Sequence, residues 1–241
     1  MKRKYLLLLA LLTASVAPLH AQLLGFSHSV SLVGLVPTGP FSKSVTMQDP
    51  ANPIFNRDDV GRDASLGVGV TYRLGKRFDV VVGDLTPFVE AGFFWNGISS
   101  DNRDLFDDQR SADPTYRNIP LMVGVQYRHN LLPLIKPYVE LALGYDIFMG
   151  FKEGWSNPSL GRPYYVFQSS GTSAWQLGVG TYIASKVSVG LTYYDLGKHA
   201  FDFKESSTKV VNDPNFASAA NHAKAQYQRI GAMALKVSFH F

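Results

Sequence analysis

The sequence predicts an all-β fold: an eight-stranded antiparallel up-and-down transmembrane β-barrel with short turns at one end and long loops at the other. Three observations predict it. Apolar and polar residues alternate over eight segments of roughly ten residues, the length a tilted strand needs to cross a bilayer. The links between these segments are alternately long and short. No stretch reaches the ~18 consecutive apolar residues that a helical span requires, and only helices and closed barrels satisfy their backbone groups in lipid.

The chain of 241 residues opens with Lys2, Arg3 and Lys4, then the apolar run from Tyr5 to Leu12. The small residues Ala17 and Ala21 approach a cleavage site. Residues 1–21 therefore read as a secretory signal peptide, cut after Ala21 to leave Gln22 first. Residues 22–241 fit one domain. Cysteine is absent, which removes disulfides, thiolate metal sites and an anchor through a lipidated Cys. The formal charge is +4, but three of those charges lie in the leader; its removal leaves 20 of the 23 Lys and Arg against 19 Asp and Glu. No nucleic-acid surface is expected from such a balance. Aromatic residues make up 13% of the chain and glycines number 21, a mixture that supplies interfacial rings and interior room in barrels.

Taken in order, the first strand is predicted over Phe26 to Val36, with Phe26, Val30 and Leu32 opposite Ser27, Ser29 and Ser31. The second sets Ala64, Leu66, Val68, Val70, Tyr72 and Leu74 against Ser65, Gly67, Gly69, Thr71 and Arg73. The third sets Leu85, Pro87, Val89, Ala91, Phe93 and Trp95 against Thr86, Phe88, Glu90, Gly92 and Phe94. The fourth sets Ile119, Leu121, Val123, Val125 and Tyr127 against Pro120, Met122, Gly124, Gln126 and Arg128.

In the fifth, Val139, Leu141, Leu143 and Tyr145 oppose Tyr138, Glu140, Ala142, Gly144 and Asp146. In the sixth, Trp175, Leu177, Val179, Thr181 and Ile183 oppose Gln176, Gly178, Gly180 and Tyr182. The seventh has Val187, Val189, Leu191 and Tyr193 opposite Ser188, Gly190, Thr192 and Tyr194. The eighth is the terminal run, in which Met233, Leu235, Val237, Phe239 and Phe241 oppose Ala234, Lys236, Ser238 and His240. Residues two apart on a strand share a face, so each segment has one greasy side and one wet or small side.

The links after strands two, four and six are short: Gly75 to Asp84, His129 to Lys136, and Ala184 to Lys186. Those after strands one, three, five and seven run about Pro37 to Asp63, Asn96 to Asn118, Ile147 to Ala174 and Gly197 to Gln228. Membrane barrels place short turns in the periplasm and long loops outside. A soluble barrel would instead have to pack the large face of every strand, Trp and Tyr included, into its centre. Tyr72, Trp95, Tyr127, Tyr145, Trp175, Tyr193 and Phe241 fall near strand ends on the greasy face, where an aromatic girdle at the headgroup level needs them.

Two hairpins repeat a charge pattern: Arg73 then Glu90, and Arg128 then Glu140, all on the inward face, with Lys236 and Asp146 as candidates to join them. A charge in a narrow, partly dry interior is costly unless paired. The expectation is a lumen network linking Arg73, Arg128 and Lys236 with Glu90 and Glu140 that fills and rigidifies the barrel. Eight strands leave an interior only wide enough for side chains, and Phe88, Phe94, Met122, Tyr138 and Tyr194 would block what remains.

Catalysis needs a base within hydrogen-bond reach of its nucleophile. The candidates are His199 with Asp195 or Asp202, the loop pairs Asp58-Asp59 and Asp107-Asp108, and the strand pairs His28-Ser29 and Ser238-His240, and no signature surrounds any of them. No catalytic residue, cofactor or metal is expected. In the loops, Phe106, Phe148, Phe151, Trp155 and the run Tyr164-Tyr165-Val166-Phe167 are expected to pack on one another over the mouth. The last run is a candidate to extend strand six, and Phe201 with Phe203 to extend strand seven.

The alternating terminal strand ending in Phe241, together with the leader and the eight segments, resembles the small outer-membrane β-barrels of the OmpA/OmpX-like group, in particular the outer membrane protein beta-barrel domain of Bacteroidetes-type bacteria. The resemblance covers residues 22–241. It implies a bacterial outer-membrane location after export, and insertion by the barrel-assembly machinery through the C-terminal strand. It also implies contact with outer-membrane lipid and lipopolysaccharide, and leaves any loop partner unknown. The function expected is a non-enzymatic integral barrel, structural or interacting through its loops. The alternatives are a narrow porin-like channel or secretion accessory, and a rim enzyme acting on lipid or protein.

Overall fold

A computed structural model describes residues 25–43, 64–98, 110–112, 115–130, 135–155, 164–184, 186–200, 203–206 and 227–241. The expected leader lies outside the described residues, as do Asp58, Asp59, Phe106, Asp107, Asp108, Phe201 and Asp202.

Among the described residues, eight long strands form the wall. They are β1 (Phe26–Thr38), β2 (Ala64–Lys76), β3 (Gly83–Ile98), β4 (Tyr116–His129), β5 (Lys136–Met149), β6 (Ser170–Ala184), β7 (Val187–Ala200) and β8 (Tyr227–His240). Each pairs antiparallel with its neighbours in the chain, and β1 pairs with β8 from Ser29↔His240 to Thr38↔Gly231. The sheet is therefore a closed eight-stranded up-and-down barrel, whose eight wall strands leave no unpaired edge.

The barrel is inside out. Along β4 and β5 the buried residues include Met122, Gln126, Arg128, Tyr138, Glu140, Ala142 and Asp146, while Val123 and Leu143, paired across the two strands, are 66% and 67% exposed. Leu32, Val68, Val89, Leu141, Val179, Leu191 and Leu235 are exposed in the same phase. The period-2 alternation thus resolves into a polar, partly charged interior and an apolar exterior. Glycines make the interior fit: a Cβ on Gly180 or Gly190 would come within 2.5 or 2.3 Å of the Tyr138 hydroxyl.

Local irregularities shift three sequence expectations. The register slips between Ala64 and Gly67, and Ala64, expected on the outer face, is buried. The link after β2 is tighter than Gly75 to Asp84, because Phe78–Val80 pairs back onto Gly83–Leu85 around Val81 and Val82. The third concerns the loops. Tyr164–Phe167 does not extend β6, nor Phe203–Ser206 β7. These two segments join Lys152–Trp155 and Arg110–Ala112 in a separate four-stranded antiparallel sheet. Pairing with one another satisfies the backbone groups of these loop segments beyond the wall.

An aromatic cluster sits at the long-loop end. Phe41, on the single-turn 3-10 helix Gly39–Ser42, meets Tyr116 edge-on at 5.2 Å; Tyr116 meets Phe151 at 5.3 Å, and Phe151 stacks on Phe167 at 4.5 Å. Phe148 packs against both Tyr116 and Phe151. All five are buried.

Candidate functional site in the barrel interior

The middle of the lumen is a four-charge cluster. Arg73 on β2 lies directly opposite Glu90 on β3. Its Nε donates to Glu90 Oε2 at 2.9 Å and its Nη1 to Glu140 Oε2 at 2.7 Å. Lys236, from β8, donates to Glu90 Oε2 at 2.7 Å and stands 3.8 Å from Glu140 Oε1. Gln126 Nε2 donates to Glu140, Tyr182 hydroxyl to Gln126, and Tyr194 hydroxyl to Glu90 at 3.4 Å. Arg73 also lies flat on the Phe88 ring, 3.7 Å from its centroid. Two cations and two carboxylates cancel, and buried charges are tolerated when so paired and hydrogen-bonded.

Arg128 is not part of this cluster. In the first hairpin Arg73 and Glu90 share a register row, but in the second Glu140 faces Gln126 and Arg128 faces Tyr138, one row nearer the short turns. Across its other edge Arg128 meets Asp84, which accepts from Nε at 2.9 Å and Nη2 at 2.6 Å, and Arg77 approaches the same carboxylate at 3.8 Å. Asp84 has no partner in the repeated motif, and only the register reveals it. Asp146 does not join the cluster either: it lies nearer the mouth, beside His199.

Aromatic and apolar side chains surround the cluster. Phe88, Phe94, Met122, Tyr138 and Tyr194 are all buried, and Phe94 and Tyr194 meet edge-on at 4.9 Å. Below them His240, close to Tyr182 at 4.6 Å, shares a hydrogen bond with Ser188. Ser238 accepts from Ser31 at 2.8 Å, and His28 bonds the Tyr72 hydroxyl at 2.9 Å. Among the described residues, the hydrogen bonds of the His28 and His240 rings go to hydroxyls, of Tyr72 and Ser188, and to no Asp or Glu.

At the mouth, β7 carries a bulge. The four residues from Asp195 to Lys198 lie against three on β8, Gly231 to Arg229. Gly197 takes the left-handed conformation with φ +82, and Asp195 Oδ1 accepts its backbone N–H at 3.0 Å. The other carboxylate oxygen accepts from Trp175 Nε1 at 3.0 Å and is clasped by Arg229. Asp195 thus fastens the bulge and does not touch His199 through any of these bonds. One extra residue reverses the in–out phase, so His199, which strict alternation would turn outward, points in and is fully buried.

There His199 Nε2 lies 3.0 Å from Asp146 Oδ2 and 2.9 Å from the Leu196 carbonyl, while Nδ1 lies 3.0 Å from Ser170 Oγ. The sequence singled out His199, but neither Ser170 nor this pairing with Asp146. The three come from β5, β6 and β7, and only the barrel's closure brings them together.

On the outer face, Tyr72, Trp95, Tyr145 and Phe241 are exposed, whereas Tyr127, Trp175 and Tyr193 are half-buried. Tyr72, Tyr127 and Phe241 sit toward the short turns; Trp95, Tyr145, Trp175 and Tyr193 sit toward the long loops. Trp175 and Tyr193 touch, with ring centroids 5.4 Å apart.

No protein-family model and no curated protein matches the chain. Among solved structures, it resembles Neisserial surface protein A, with 13% identity and a TM-score of 0.43, covering 90% of this chain and 97% of that one. Ail, the attachment invasion locus protein of Yersinia pestis, solved with the heparin analogue sucrose octasulfate, gives 12% and 0.40 over 90% and 97%. The outer membrane enzyme PagL gives 17% and 0.38 over 88% and 97%. Identities and scores at this level transfer no role, ligand or site to this chain.

Proposed function

We propose that the chain is an integral outer-membrane protein, a barrel sealed to diffusion whose working surface is the mouth and loops opposite the short turns. One observation carries the reading: an apolar exterior around the whole wall encloses a neutralised charge cluster. Continuous exposed apolar surface of this extent has no place in water, and marks contact with lipid or another apolar partner. The aromatic rings near both strand ends fit the two headgroup levels. In this reading the short turns face the periplasm, outer-leaflet lipid and lipopolysaccharide surround the upper wall, and the strand ending at Phe241 is what the assembly machinery reads.

The sealed centre argues against a porin. Glu90, Arg73, Lys236 and Glu140 satisfy one another across the axis, with rings above and below. The test is reconstitution into lipid vesicles and planar bilayers, with folding checked by the gel shift on heating. Retention in vesicles after urea extraction, with no steady conductance, is expected. Extraction by urea refutes the membrane reading. Steady conductance that changes in Glu90→Ala replaces the sealed barrel with a narrow channel.

A further inference from the structure

We propose that Ser170 is an activated nucleophile at the barrel mouth, with His199 as its base, the Leu196 carbonyl holding that base and Asp146 beside it, and that the site cleaves carboxylic esters with an apolar acyl part. Among the described residues, His199 is the histidine whose two ring nitrogens meet a carboxylate on one side and a serine hydroxyl on the other.

The surroundings fix the tautomer. The Leu196 carbonyl can only accept and is hydrogen-bonded to Nε2 at 2.9 Å, so Nε2 carries the proton. Nδ1 is then left with its lone pair, 3.0 Å from Ser170 Oγ, and the hydroxyl must donate to it. This is a nucleophile–base pair of the kind used in serine acyl transfer, with the two ring nitrogens exchanged: Nδ1 faces the serine, and Nε2 is held by the Leu196 carbonyl with Asp146 Oδ2 3.0 Å away.

The arrangement is built, not incidental. His199 reaches the interior because of the bulge that Asp195 and Gly197 fasten. Asp146 and His199 are completely buried, and Phe148 lies against the imidazole at 5.6 Å. Asp146 forms none of the lumen cluster's ion pairs. Ser170, by contrast, is half-buried, the one member of the three open to a guest. In register it faces Phe148, which continues into the Phe151–Phe167 stack, an apolar wall for an acyl chain. Beyond Phe148 on the same row, the buried Asn118 adds an amide Nδ2 that makes no hydrogen bond.

The chemistry balances with water as the only co-reactant. Ser170 Oγ bonds to the ester carbonyl carbon while its proton passes to His199 Nδ1. The tetrahedral intermediate collapses, the alkoxy group leaves with that proton as an alcohol, and the acyl group stays on Ser170. Water then attacks the acyl carbon, giving a proton to Nδ1. Collapse of the second intermediate frees a carboxylic acid and returns the proton to Ser170 Oγ.

The test does not depend on which membrane holds the barrel. The full chain, folded in detergent micelles and checked by its heat-dependent gel shift, is treated with a fluorophosphonate probe and digested for mass spectrometry. One adduct is expected, on the Ser170 peptide. It should vanish in Ser170→Ala, form at least tenfold more slowly in His199→Gln, and form faster in Asp146→Glu than in Asp146→Asn. A folded protein that is unlabelled, or labelled elsewhere, overturns the proposal. So does a folded His199→Gln that reacts as fast as its parent.

Discussion

Lys236→Met isolates the energetics of the lumen charge cluster. Lys236 is 2% exposed and its ammonium is 2.7 Å from Glu90 Oε2. At an effective dielectric constant near 20, that separation corresponds to about 6 kcal/mol of direct attraction. Methionine, of similar length, needs no desolvation and returns part of this. It leaves Glu90 and Glu140 to share Arg73, with one uncompensated negative charge in the barrel. Breaking one side of a buried ion pair typically costs ~3–5 kcal/mol, and that is the loss expected here. The matched double variant Lys236→Met with Glu90→Gln restores neutrality, keeps Arg73 on Glu140, and should be more stable than Lys236→Met alone by about 2 kcal/mol or more. The assay is urea unfolding from lipid vesicles, followed by tryptophan fluorescence and by the gel shift on heating. A Lys236→Met barrel within about 1 kcal/mol of its parent, or a double variant showing simple addition of losses, would refute the reasoning that charge balance holds the centre together.

Two further variants probe the wall and the bulge. Leu143→Arg places a charge mid-strand on the outer face, where the side chain is 67% exposed; in vesicles it should lose about 2–4 kcal/mol, whereas a barrel standing in water would scarcely register it. Gly197→Ala forces a side chain onto φ +82 with its Cβ 2.3 Å from the Ser173 carbonyl. It should lower the unfolding midpoint by the equivalent of about 1–3 kcal/mol and slow probe capture at Ser170. Gly34→Ala, with nothing within 4 Å of the added Cβ and no left-handed backbone, is the control and should change neither.

Alternation made the wall legible, because a strand that separates lipid from a polar lumen must declare its phase at every residue. That is why the inward sets of β3, β4 and β5 follow directly from the sequence. Register is not declared in the same way. Arg73–Glu90 and Arg128–Glu140 look equivalent in sequence, yet one row of offset hands Arg128 to Asp84. Bulges are quieter still. Ala64 and His199 both change sides because a single residue is added locally, and nothing in the local alternation announces it. Ser170 carried no signal, since its meaning comes from two strands that lie 24 and 29 positions away in the chain. The loop segments Tyr164–Phe167 and Phe203–Ser206 read as strand-like, which is right, but their partners lie in other loops.

The ladder that closes the wall joins the two most distant stretches of the barrel: Ser31 and Ser238, 207 positions apart, share a hydrogen bond. The other wall ladders join strands consecutive in the chain and can zip up locally as hairpins, with little loop entropy to overcome. The last one cannot form until β8 has arrived. Until then, β1 and β8 present raw edges able to pair with any other chain, and the Glu90 carboxylate lacks the ammonium of Lys236. Maturation is therefore all-or-none in a directional sense. A nascent barrel must be kept solitary for as long as its final fourteen-residue strand is in transit, and the arrival of that strand seals the wall and balances the interior charge in one event.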